Sequence, residues 1–224
     1  MVEFVAATIV FLITHALPAA RGLRTLLIER IGRRTYLLTY SVISLFAFGW
    51  LISTALRAPY VELWPPNQVA ALLTLGAMLP GCILFTAALA RPNPLSISFV
   101  NAKYITTSPG ILALTQHPIL WAFVIWSTSH IVANGDLVSV VMFGGIAIFA
   151  ILGMWSLPKR AKRSLTKLEF KRATALSSGG CVTRLRRAAS VGFAVEVICG
   201  VFLYVLLLVL HEPVIGVAPL SMAL

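Results

Sequence analysis

The stretch from Pro158 to Leu210 decides the fold, because a strongly basic segment in it gives way to an unbroken apolar run. Residues 158–190 read PKRAKRSLTKLEFKRATALSSGGCVTRLRRAAS and contain ten Lys and Arg residues, whereas residues 191–210 read VGFAVEVICGVFLYVLLLVL and contain none. An α-helix needs about 20 apolar residues to cross the ~30 Å hydrocarbon core of a bilayer. The stretch therefore predicts a basic loop at a membrane surface followed by a transmembrane helix.

Five further apolar runs precede this one in the 224-residue chain. They are Val2 to Ala20, Tyr36 to Leu56, Val69 to Ala90, roughly His117 to Ala133, and Leu137 to Leu157. The fourth is the shortest, at about 17 residues, and it spans only if it stands nearly upright or begins in the interface. We predict an all-α, polytopic membrane bundle of about six transmembrane helices, forming a single domain over residues 1–224 with a basic cytoplasmic loop at 158–190.

The positive charges follow alternate apolar runs. Seventeen of the 18 Lys and Arg residues come after the first, third or fifth run, and only Arg57 falls in the other loops. Because Lys and Arg stay on the cytoplasmic side of membrane proteins, both termini are expected on the non-cytoplasmic side. The first run begins with Glu3 and its positive charges follow it, so we expect it to remain as a helix and not to be cleaved as a signal peptide.

The chain has a net charge of +11, and its basic residues flank the apolar runs. They do not form a folded basic domain. This distribution argues against nucleic-acid binding and predicts contact with the lipid bilayer and with anionic lipid head groups at the basic loop. Of the three cysteines, Cys82 and Cys199 lie in apolar runs and Cys181 lies in the basic loop. They have no paired spacing, so neither a disulfide framework nor a zinc site is indicated, and we expect Cys82 and Cys199 to be buried small apolar residues.

All four histidines lie in or at the edge of the predicted spans: His15 in the first, His117 at the start of the fourth, His130 within the fourth and His211 at the end of the sixth. A polar side chain in lipid is costly without a partner. His117 precedes Pro118, which favours Pro118 as the first helical residue and His117 as a structural cap at the cytoplasmic interface. His211 is interpreted as an interfacial residue.

His130 has an aromatic neighbourhood in the sequence. Helical spacing places Phe123, Trp126 and Ser127 on its face. Such a setting suits a flat apolar cofactor, and it equally suits a hydrogen bond between helices. The run Asn134–Asp136 is expected to end this helix and to cap the next one in a tight outer hairpin.

His15 and Glu196 are the other ionisable groups deep in the predicted spans. His15 lies six residues before Arg21, so about 9 Å inside the cytoplasmic boundary. An interhelical hydrogen bond is favoured for it, and metal ligation is the alternative. Glu196 lies five residues into the sixth run and is expected to pair with an arginine on the cytoplasmic side, to pair with His15, or to carry a proton.

Seven short stretches carry a pattern that goes beyond hydropathy. They are Thr14–Ala19, Ile31–Tyr36, Tyr40–Ser44, Thr115–Pro118, Trp126–His130, Asn134–Asp136 and Gly216–Pro219. Together they resemble the NnrU family of bacterial membrane proteins, which is related to plant and cyanobacterial 15-cis-zeta-carotene isomerase. The resemblance extends over most of the chain except the basic loop, and it implies a multi-pass protein of the bacterial inner membrane.

The resemblance also implies a haem b. In the isomerase, two histidines hold the iron, and their positions correspond to His15 and His130. His117 would then act nearby or anchor a haem propionate together with arginines, while the face that bears Trp126 and Ser127 holds the porphyrin. The isomerase has a cysteine where this chain has Ser127, so a switch to a thiolate ligand is not expected here.

Helix geometry raises an objection to the pair His15 and His130. His130 lies about 18 Å from the cytoplasmic edge of its helix, against about 9 Å for His15. Pairing them requires helix tilt or a fourth helix set lower in the membrane. His15 with His117, at similar depth, and His130 with His211, on the outer side, are the competing pairs.

Two functions follow from the resemblance, which also links the family to denitrification and nitric oxide metabolism. The first is a haem b protein with isomerase-like or redox chemistry. The alternative is a non-enzymatic accessory protein whose histidines are structural and whose basic loop binds lipid or a partner enzyme of nitrogen-oxide reduction. The sequence contains no phosphate-binding loop, zinc spacing or nucleophile with a base.

Overall fold

The computed structural model describes residues 1–16, 21–100 and 108–223, without the side chain of Arg21. The resembling residues Leu17–Ala19 and the predicted cytoplasmic Lys103 lie outside the described residues. Within these ranges the chain forms ten α-helices and a 3₁₀ helix, Gly110–Ala113. The α-helices are α1 (Val2–Ala16), α2 (Arg21–Ile31), α3 (Arg33–Leu56), α4 (Gln68–Ala90), α5 (Pro118–Asn134), α6 (Leu137–Ser164), α7 (Lys167–Ala175), α8 (Cys181–Ala188), α9 (Val191–Ile215) and α10 (Pro219–Ala223).

Four of these helices, α3, α4, α6 and α9, are long and apolar enough to cross a membrane. They coincide with four of the predicted spans. Helix α1 has 15 residues and α5 has 17, which corresponds to about 22 Å and 25 Å and is less than a ~30 Å hydrocarbon core. The all-helical class is thus confirmed for the described residues, whereas the count of six spans stays a prediction.

The outward side chains of the long helices are apolar. On α9, Ile198, Phe202 and Val209 are each about two-thirds exposed, at 67%, 68% and 67%. Continuous exposed apolar surface of this kind is rare on soluble monomers. These helices therefore indicate a membrane protein.

Helix α6 continues beyond Pro158, where the sequence predicted the basic loop to begin, and ends at Ser164. A proline removes one backbone hydrogen bond but does not stop a helix whose far end is packed. Here Ala161 is buried in a cluster with Leu95 and Ala173, which holds the last turns of α6. The rest of the basic segment forms α7 and α8, and the predicted break at 177–180 separates them.

The chain divides into two compact units. The first contains residues 1–64 and 135–146. In it α1 packs on α3, and Phe4, Ala7 and Leu51 are almost completely buried. The Asp136 side chain accepts a hydrogen bond from the backbone N–H of Ser139 at 2.9 Å, so the predicted cap of α6 is confirmed.

Gly135, in the same unit, is required by its backbone. Its φ is +67°, and a Cβ atom there would collide with the carbonyl oxygen of Trp64. The Gly135 carbonyl accepts hydrogen bonds from the N–H groups of Leu63 and Trp64 at 2.8 and 3.0 Å. The Asn-Gly-Asp run therefore owes its glycine to this close backbone approach.

The second unit contains residues 65–134 and 147–224. Helix α4 lies at its centre and packs against both α5 and α9. At the contact with α9, a Cβ atom on Gly200 would lie 2.5 Å from the Cα of Ile83. Small residues let membrane helices approach this closely, and the approach brings residues of α4, α5 and α9 around one cleft.

Candidate functional site

A cleft opens in the second unit between α4, α5, α9 and α10. Its polar and sulfur-bearing lining includes Cys82, His130, Asn134, Tyr204 and His211, and apolar side chains form most of the rest. The cavity volume is about 100 Å³, and all of the empty space, with open solvent included, is about 700 Å³. A ligand as large as a porphyrin therefore fits only if it extends into the open part.

The two histidine rings in this cleft lie next to each other. The ring centroids of His130 and His211 are 6.5 Å apart, and the ring planes are inclined by 31°. The Nδ1 atom of His130 lies 2.8 Å from the Trp126 carbonyl oxygen, and that of His211 lies 2.8 Å from the Val217 carbonyl oxygen. Because a carbonyl oxygen only accepts, Nδ1 carries the proton in both rings, and Nε2 carries the lone pair of the neutral imidazole.

The aromatic neighbourhood predicted for His130 is formed. The Trp126 ring stands edge-on to His130 at 5.9 Å, Phe123 contacts Trp126 at 6.2 Å, and Phe85 of α4 contacts Phe123 at 6.2 Å. Ser127 is completely buried, and its hydroxyl has no hydrogen-bond partner among the described residues. Of the predicted site residues on this helix, His130 lines the cleft, the Trp126 ring contacts the His130 ring, and Ser127 is buried.

His15 belongs to the first unit and is half-buried there. Its Nδ1 atom lies 2.8 Å from the Phe11 carbonyl oxygen, so its Nε2 also carries the lone pair when the ring is neutral. The ring packs on Phe11 at 4.1 Å and stands edge-on to Tyr40 at 6.3 Å. Tyr40 in turn stacks with Tyr36. Sequence reasoning missed these two tyrosines, although both lie in stretches that carry the resemblance.

His117 differs from the other three histidines. It is 8% exposed, and its Nδ1 has no hydrogen-bond partner among the described residues. Its backbone N–H donates to the Thr115 hydroxyl at 3.2 Å, and α5 begins at Pro118 as predicted. A buried ring nitrogen without a partner costs about 1–3 kcal/mol.

Glu196 pairs with an arginine, which is one of the three outcomes that the sequence left open. Its carboxylate lies 2.5 Å from Nε of Arg91, and the two side chains are only 8% and 14% exposed. Arg91 also donates to the Ser108 carbonyl, and Thr86 donates to the Glu196 carbonyl at 3.2 Å. The pair thus joins α4, α9 and the segment before the 3₁₀ helix.

The described residues contain no group of three or more His, Cys, Asp or Glu side chains able to hold a metal ion. A structural zinc site needs four protein ligands, whereas the axial positions of a haem iron need at most two. Among the cysteines, Cys82 is buried as predicted, but Cys199 is exposed on α9. The prediction for Cys199 was wrong because an apolar run does not reveal which of its faces is packed.

Comparison with known protein families gives a match over nearly the whole chain. Neither the curated proteins nor the solved structures contain a significant match to the chain. The model of the NnrU family, described as NnrU protein, matches residues 3–219, which is nearly the whole chain. This chain is a member of the NnrU family.

Proposed function

We propose that this protein binds haem b through intramembrane histidines and carries out redox or isomerase-like chemistry linked to nitrogen-oxide metabolism, in the inner membrane of a bacterium. The observation that carries the proposal is the setting of His130. Its Nδ1–H is held by the Trp126 carbonyl, it lines an apolar cleft, and an aromatic row stands beside it. A hydrogen bond to Nδ1 fixes the ring and raises the basicity of Nε2, which is the usual arrangement around a metal-ligating histidine.

The donor set of this chain suits a haem iron. His130 would supply one imidazole, and the resemblance implies His15 as the second ligand; the Phe11 carbonyl holds the Nδ1 of His15 as the Trp126 carbonyl holds that of His130. The resemblance implies a role for His117 near the haem or at a propionate, and the buried Nδ1 of His117 has no hydrogen-bond partner among the described residues. When bound, haem b supplies one-electron redox chemistry at its iron. The neutral imidazoles and the apolar lining would bind it, orient it and keep water away, and these factors would set its reduction potential.

The test is the absorption spectrum of the full-length protein, purified in detergent after expression with ample haem. We expect a Soret band with nearly one haem per chain, and loss of that band in His130→Ala. The control is Thr128→Ala, since the Thr128 hydroxyl donates to the carbonyl of Val124 within its own helix, away from the carbonyl that holds His130. A well-folded protein without haem would refute the proposal and favour the accessory protein with structural histidines, which binds a partner enzyme of nitrogen-oxide reduction.

The proposal includes the full topology of six spans with both termini on the non-cytoplasmic side. It is supported by the basic residues of α7, α8 and the end of α6, which carry ten positive charges between Lys159 and Arg187. Reporter fusions at residues 1, 64, 165 and 224 test it. A cytoplasmic signal is expected only at 165, and a cytoplasmic signal at either terminus would refute the orientation.

The basic segment is proposed to lie on the inner leaflet and to bind anionic lipid. On α8 the apolar side chains Val182 and Leu185 are 63% and 52% exposed, and Arg186 beside them is also exposed. An amphipathic helix with basic residues on its polar face binds anionic membranes in this way. Spin labels at 182 and 185 should lie deeper in vesicles of phosphatidylcholine with phosphatidylglycerol than a label at 187, because the exposed Arg187 lies on the opposite face of α8. Equal depths would refute the assignment.

A further inference from the structure

We propose that His211 supplies the axial ligand opposite His130, in the place that the resemblance gives to His15. This inference rests on the proposed haem function. His130 of α5 and His211 of α9 belong to the same compact unit, and both line the same cleft.

The distance between the two rings matches a shared iron. Imidazole nitrogens bind transition metals at about 2.0–2.1 Å, and the centre of the ring lies about 1.1 Å behind the nitrogen, so two imidazoles on opposite sides of one metal have centroids about 6.3 Å apart. The centroids of His130 and His211 are 6.5 Å apart.

Both rings are oriented by the backbone. His130 is held by the carbonyl one turn earlier in α5. His211 is held by the Val217 carbonyl, which lies beyond the end of α9. Gly216 ends α9 in the left-handed conformation, with φ +84°, and this turn brings the Val217 carbonyl back towards the helix that it has just left.

This turn explains one of the resembling stretches. Gly216–Pro219 contains no side chain with obvious chemistry, yet Val217 and Pro219 both line the cleft, and the Val217 carbonyl fixes the tautomer of His211. A positive φ favours glycine, so the glycine is needed for the turn. The stretch thus acts as a positioning segment for His211.

The pair of His130 and His211 also avoids the difference in depth that argues against the pair of His15 and His130. His130 lies four residues before the end of α5 and His211 four residues before the end of α9. The predicted topology puts both of these ends on the same side of the membrane. No tilt or lowered helix is then needed to bring two imidazoles to one iron.

The experiment is electron paramagnetic resonance of the full-length ferric protein in detergent. The wild type and His15→Ala are expected to give the low-spin spectrum of an iron with two imidazole ligands. His211→Ala is expected to keep haem but to give a high-spin spectrum, and added free imidazole is expected to restore the low-spin form. His211→Met adds a readout that a structural role would not produce, namely the absorption of an iron with a thioether ligand.

The outcomes separate this inference from the proposed function. If the wild type binds no haem, both fail. If haem is bound and His15→Ala becomes high-spin, while His211→Ala and His211→Met leave the spectrum unchanged, the haem proposal stands and the role of His211 is refuted. Size-exclusion chromatography of each variant shows that it is folded, and His211→Met keeps the test valid if the alanine variant is unstable.

Discussion

Replacing Glu196 by Gln tests whether the pair of Arg91 and Glu196 holds the second unit together. The substitution keeps the shape of the side chain but leaves the Arg91 guanidinium, whose side chain is 14% exposed, without a counter-charge. Breaking a buried ion pair by removing one partner costs about 3–5 kcal/mol. Because the Gln amide oxygen still accepts from Arg91 and the Ser108 carbonyl is retained, we expect the lower end, about 3 kcal/mol.

The assay is thermal unfolding of the purified protein, followed as the loss of the monodisperse peak after heating. For a chain of this size, 1 kcal/mol corresponds to about 2–4 °C, so Glu196→Gln should lower Tm by about 6–12 °C. The matched control is Glu3→Gln, which breaks the exposed pair of Glu3 and Arg57, whose side chains are 61% and 63% exposed. An exposed pair contributes about 0–1 kcal/mol, so this control should lower Tm by no more than about 4 °C.

A double variant separates the pair from its parts. Arg91→Met with Glu196→Leu removes both charges, so it should be more stable than either single variant, because no uncompensated charge stays buried. The reasoning is refuted if Glu196→Gln and Glu3→Gln have the same Tm, or if the two single changes simply add in the double variant.

Three further predictions concern packing, capping and exposure. Gly200→Ala should lower Tm because its Cβ would lie 2.5 Å from the Cα of Ile83. The control Gly76→Ala has nothing within 4 Å of the added Cβ and should leave Tm unchanged or raise it. A change of Tm with the same sign in both variants would contradict the close contact of α4 and α9. Thr166→Ala removes the hydrogen bond that the Thr166 hydroxyl accepts from the Glu169 N–H, and it leaves the backbone half of the capping box in place. This loss should cost about 1 kcal/mol, read as lower protection of α7 in hydrogen exchange, and unchanged protection would argue against the cap. A small lipid-soluble maleimide should label Cys199 faster than the buried Cys82, and equal rates would contradict the packing of α4.

Much of the secondary structure follows from local properties of the chain. The apolar runs predict α3, α4, α6 and α9 to within a few residues, because a bilayer requires each spanning segment to satisfy its backbone hydrogen bonds internally. Proline at the start of α5 and Asp136 before α6 mark helix ends by steric and hydrogen-bonding effects that act within a few residues. Pro158 is the exception, since distant packing of Ala161 carries α6 beyond it.

The candidate site was predicted in part. His130 and its aromatic row could be found from helical spacing alone, because residues three and four apart share a face. Tyr40 beside His15 could not be found, since that contact joins two helices. An arginine was one of the partners expected for Glu196, but only the structure shows that it is Arg91. Ser127 is completely buried, and its place beside a cofactor stays a prediction.

The sequence by itself determined that the chain is helical, that several segments suit a membrane, and that it resembles the NnrU family. Only the tertiary structure decided which polar groups meet, above all His130 with His211 and Arg91 with Glu196. The physical reason is that a membrane helix is apolar on every side, so its composition does not distinguish the face that meets lipid from the face that meets another helix. Close approach at small residues such as Gly200, and backbone turns such as that at Gly216, select the neighbours.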